Sequence, residues 1–97
     1  MSEARVASNV LLPAGDLVAR GIADLERGIE TVPALLVSIG HPRLRRSGMA
    51  VPDPPFGDPE HRLYSALARE GPETAHSRYN ALLRRLVSFE RALACAS

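Results

Sequence analysis

The stretch AHSRYNALLRRLVSFERALAC, residues 75–95, carries the strongest periodicity in the chain. Within it Ala75, Tyr79, Leu82, Leu86, Phe89 and Leu93 recur at alternating steps of four and three, which places them on one face of a helix packed nearly parallel to a neighbour. Leu83 and Val87 widen that face on one side. On the other lie Arg78, Ala81, Arg85 and Ala92, a flank where small residues permit close approach and the arginines can fold over it or meet a partner's carboxylates. Three heptads are too few for a free-standing coiled coil. The seam is therefore read first as the packing face of an intramolecular bundle, and second as a seam shared by two copies.

Working back toward the N-terminus, Gly71-Pro72 separates this fourth helix, starting at Glu73 or Thr74, from a third that runs to about Glu70. The third helix begins at Asp58-Pro59-Glu60, a capping carboxylate followed by proline and an acid in the first turn, and it turns Leu63, Ala66 and Leu67 inward. Ahead of it, residues 49–58 form a stiff connection, because the prolines at 52, 54, 55 and 59 disfavour helix. Phe56 is expected to pin this strap to the core.

Earlier still, Thr31 caps a short second helix with Pro33 in its first turn and an apolar run, Ala34, Leu35, Leu36, Val37 and Ile39, that should be buried on every side. Gly40-His41-Pro42 is expected to end it and to leave Arg43, Arg45 and Arg46 on a separate turn closed by Gly48. The first helix spans about Pro13 to Glu30, with Ala14, Leu17, Val18, Ile22, Leu25 and Ile29 facing inward and Gly28 a candidate for an earlier stop. Residues 1–9 read as a flexible arm.

These segments predict an all-α fold, a small four-helix bundle-like domain over residues 1–97 with a proline-rich internal strap between the second and third helices. Either half, at about 45 residues, is too small to hold a core without a staple, so the halves should share one. Apolar residues make up 45% of the chain, but there are two Phe, two Tyr and no Trp. The core must therefore be built mainly from Leu, Val, Ile and Ala.

Charge and composition narrow the function classes. All twelve basic residues are arginine, against eleven acids, for a formal net charge of +1, a balance that argues against a generic polyanion binder. The absence of lysine is read as a coding bias. A lone Cys95 rules out an intrachain disulfide and a multi-cysteine metal site. No leader-like N-terminus and no apolar run approaching the ~20 residues of a membrane span is present, so a cytoplasmic protein away from membranes is expected.

No catalytic constellation is legible. The histidines 41, 61 and 76 and the hydroxyl or thiol groups of Ser65, Ser77, Ser88 and Cys95 are not brought together by spacing, and no phosphate loop or nucleophile elbow occurs. An enzyme is not expected, nor a cofactor. Glu73 and His76 have the Glu-x-x-His spacing of carboxylate metal bundles, but an acid in the first turn is already explained by the helix dipole, and the pair is only a weak metal candidate.

The arginines offer two readings. On the fourth helix Arg78, Arg84, Arg85 and Arg91 are candidates for binding another protein or a second copy of the chain. Arg43, Arg45 and Arg46 at the second helix are candidates for nucleic-acid phosphates, although no aromatic residues interleave with them for base stacking. The favoured expectation is a non-catalytic interaction or accessory module that self-associates or binds a partner through the fourth helix. A nucleic-acid-associated protein is the second reading, and a small metal-binding bundle the third.

Overall fold

A computed structural model describes residues 12–96 and contains four helices: α1 (Gly15–Glu26), α2 (Val32–Arg46), α3 (Pro59–Glu70) and α4 (Ala75–Ala96). No strand occurs among the described residues, and the strap is irregular throughout. The fold is thus the all-helical, bundle-like one expected from the sequence. The proposed arm, residues 1–9, lies outside the described residues.

α2 is the centre of the arrangement, packing against α1, α3 and α4. Its run Ala34 to Ser38 is buried at every position, as a helix apolar all round must be. On one side Val37 and Leu44 meet Val18 and Leu25 of α1, Phe89 and Leu93 of α4 and Val51 of the strap. On the other, Leu35 and Leu36 meet Leu63 and Leu67 of α3 and Ala75 and Leu86 of α4. Phe56 packs against both clusters, so the strap is pinned as expected.

The expected break in α2 does not occur. The helix continues through Gly40 and Pro42 to Arg46, and two local facts explain why. A proline at position 42 removes one intrahelical hydrogen bond, but continuation carries Leu44 into the core, where it is fully buried. Gly40 is a contact residue rather than a breaker. A Cβ there would lie 2.9 Å from both Glu90 Oε2 and Leu86 Cδ1 of α4, so glycine lets α4 cross closely. Arg43, Arg45 and Arg46 therefore stand on the last turn of α2, where cations complement the carbonyl end of the helix dipole.

Two helix ends share one device. At Gly28 and at Gly48 the backbone is left-handed, with φ of 71° and 97°. Around them the amides of Gly28 and Ile29 donate to the carbonyls of Leu25 and Asp24, and those of Gly48 and Met49 to Arg45 and Leu44, the paired bonds of a Schellman cap. Gly28 thus ends α1 before Ile29, which is 38% exposed and not on the inner face expected for it. The start of α1 also shifts. Pro13 precedes the helix in a turn, and Ala14 takes a left-handed conformation.

α3 starts at Pro59 as expected, but Asp58 is left-handed, with φ 55°, and its side chain forms no cap. Its carbonyl accepts from the Arg62 amide instead. Glu73 and Thr74 lie in the turn before α4. Thr31, by contrast, acts as predicted and more. Its hydroxyl accepts from the Ala34 amide at 3.2 Å and donates to Asp24 Oδ2 at 2.6 Å, tying the end of α1 to the start of α2. Replacing Thr31 by alanine is expected to cost about 1–2 kcal/mol, measured as a lower urea midpoint with an unchanged denaturant slope. An unchanged midpoint would show that the cap adds nothing to stability.

Candidate functional site

The seam of α4 is largely occupied within the chain: Ala75, Leu86, Phe89 and Leu93 are buried, whereas Tyr79 and Leu82 are only partly covered. Tyr79 meets Tyr64 of α3 edge to face, with ring centroids 5.6 Å apart. Partial burial, with the nearby Glu60 carboxylate adding to it, holds the Tyr79 phenol above its ordinary range.

The flank of α4 that carries small residues and arginines borders a shallow cleft of about 380 Å³. Pro13 and Ala14 at the entrance to α1 form one wall, and Ala81, Arg84, Arg85 and Ser88 of α4 form the other. Arg84 and Arg85 are exposed, and neither makes an ion pair or side-chain hydrogen bond among the described residues. Two sequence candidates are thus brought together. The other two are not part of the cleft: Arg91 is exposed without an ion pair among the described residues, and Arg78 reaches Glu70 of α3 at 2.9 Å.

The arginines of α2 stand differently. Arg45 Nη1 lies 3.0 Å from Asp53 Oδ1 of the strap, and Arg43 Nη1 lies 3.5 Å from Glu90 Oε1 of α4. Among the described residues, Arg46 alone of the three lacks an ion pair. A phosphate binding here would compete with carboxylates already in place. Asp53 also approaches His41, whose Nε2 is 3.4 Å from Oδ1 but forms no hydrogen bond. Glu90 has one carboxylate oxygen buried without a hydrogen bond, because it lies over Gly40.

A larger polar depression lies between the start of α2 and α3, lined in part by Glu30, Arg62, Arg69 and Glu70. Its charges are mostly matched internally. Arg62 donates to both Glu30 oxygens at 3.0 and 3.2 Å and to the Gly57 carbonyl, and Glu70 holds Arg78.

Glu73 and His76 are exposed, and His76 Nε2 lies 3.2 Å from the Asn80 amide nitrogen. Among the described residues no three His, Cys, Asp or Glu side chains are grouped to hold a metal ion. Among the described residues no helix is long and apolar enough to cross a membrane. Sequence reasoning missed Pro13 and Ala14 as a wall of the cleft, and the pairing of Asp53 and Glu90 with the α2 arginines. Each depends on how distant segments meet, for which the residues carry no local pattern.

No family model matches the chain, and no curated protein and no solved structure matches it either.

Proposed function

We propose that this chain is a non-catalytic interaction module that works by binding another protein, with the cleft between α1 and α4 as its contact surface. The observation that carries the reading is the pair Arg84 and Arg85 on the rim of a small, mainly apolar depression, without a carboxylate partner among the described residues. Arginine is enriched at protein interfaces, where its aliphatic arm covers apolar surface and its planar head pairs with carboxylates. The second reading, phosphate binding by Arg43, Arg45 and Arg46, has less support, since two of these already face acids.

The test is affinity purification of the tagged protein from its host at mild salt, alongside the double variant Arg84→Glu with Arg85→Glu. A stoichiometric protein partner should accompany the wild type and be lost from the variant, with helicity by circular dichroism unchanged. Recovery of nuclease-sensitive nucleic acid in place of a protein would transfer the assignment to the second reading.

A further inference from the structure

The occupant of the cleft can be narrowed by charge and symmetry, on the premise that the cleft is the contact surface. Three kinds of occupant come into question: a second copy of this chain, a polyanionic strand, and an acidic protein segment. A second copy packed face to face would form an isologous interface, in which the same patch meets itself across a two-fold axis. Arg84 and Arg85 line the cleft itself. Such a dimer would bring four guanidinium groups together near the axis without a carboxylate among the cleft-lining residues. Like charges so placed oppose association.

A polyanionic strand fits the arginines but not the rest of the wall. Pro13, Ala14 and Ala81 are aliphatic, and none of the cleft-lining residues is aromatic, so bases would find no stacking platform. What fits both features is a segment with small or aliphatic side chains on one face and carboxylates along its edge. The α4 wall, from Ala81 to Ser88, covers two helical turns, and its small residues, Ala81 and Ser88, permit close approach of another helix.

We infer that the α1–α4 cleft binds an acidic amphipathic helix of another protein, with Arg84 and Arg85 pairing to its carboxylates and Pro13, Ala14 and Ala81 receiving its apolar face. A face-to-face second copy fails on charge, and a polyanionic strand fails on the aliphatic wall.

The experiment is a calorimetric titration of the full chain with two synthetic helical peptides of about four turns. One carries leucine and alanine on one face and glutamate on the flanks, and the other is identical except for lysine in place of glutamate. The glutamate peptide should bind saturably at one to one, with the lysine peptide on the order of tenfold weaker. Arg84→Glu with Arg85→Glu should reverse that preference. Arg20→Glu with Arg27→Glu makes the same change in net charge at exposed arginines away from the cleft, and should leave the preference intact.

Equal affinity for the two peptides, or a preference that the Arg20 and Arg27 variant abolishes equally well, would overturn the inference. So would tighter binding of a single-stranded oligonucleotide through Arg84 and Arg85, or a concentration-dependent dimer in sedimentation that the Arg84 and Arg85 variant dissolves. Because the purification described above detects any protein partner, a partner lost with these arginines but no peptide discrimination would refute the acidic helix while leaving the interaction module standing.

Discussion

Gly21→Ala should lower the melting temperature by roughly 10–20 °C, corresponding to a loss of about 2–3 kcal/mol in a chain of this size. At this position α1 and α2 cross with no room for a side chain. A Cβ on residue 21 would sit 2.3 Å from the backbone carbonyl oxygen of Pro33 and 2.5 Å from Val37 Cγ2. The valine could adjust, but the carbonyl belongs to the first turn of α2, and moving it means moving the helix. Separation would loosen the contacts of Val18 and Leu25 with Val37. Alanine has the better helix propensity by about 1 kcal/mol, and the net loss above already includes that offset. Gly57→Ala is the control, since nothing lies within 4 Å of a Cβ there. A Gly21→Ala melting curve that matches wild type would mean that the two helices do not cross at this point.

The second large effect is expected from Phe89→Ala, at about 3–5 kcal/mol. Phe89 is the largest fully buried side chain, and it sits in the cluster where α1, α2, α4 and the strap converge. Its removal leaves a cavity bordered by four segments that cannot all move in to fill it. Small domains are stable by only about 5–15 kcal/mol, so the variant should be partly unfolded at ambient temperature or sharply shifted in urea. A midpoint shift equivalent to less than about 1 kcal/mol, the scale of a typical mutation, would place Phe89 outside the core.

These two positions differ in how far the sequence reveals them. Phe89 is legible because it falls on the repeating face of α4, and the helices themselves follow from such periodicity together with Thr31, Pro59 and Gly71-Pro72. Gly21 is not, because a glycine in an amphipathic pattern looks like a weak point until the partner helix is known to cross there. The same reasoning explains Gly40. Local chemistry reads Gly40-His41-Pro42 as a stop, whereas burial of Leu44 and the approach of Glu90 and Leu86 carry the helix onward. Asp58 shows the converse: its type suits a cap, but its left-handed backbone leaves the side chain without a capping bond.

The candidate site was legible in part. The flank of α4 beside the core face carries Arg85 in the sequence pattern, whereas Arg84 is a candidate there only as one of the arginines along the helix. Which arginines keep free heads depends on where Glu70, Asp53 and Glu90 end up, contacts that span eight to 47 residues in sequence. Arg43 and Glu90 are parted by the whole strap and α3, Arg45 and Asp53 by the end of α2, and Arg78 and Glu70 by the turn at 71–74, and helical spacing rules hold across none of these breaks.

The strap also bears on which changes in chain length the fold can accept. Val51 is buried and Phe56 contacts both apolar clusters, so the segment between them acts as a ruler of fixed length. An insertion or deletion between residues 51 and 56 would displace an aromatic ring from the boundary of the two clusters. Beyond Phe56, Gly57 and Asp58 are exposed, and extra residues there would leave both anchors in register. Length variation among natural or engineered forms of this chain should therefore gather on the C-terminal side of Phe56, even though the whole strap looks, by composition, like a loop of uniform tolerance.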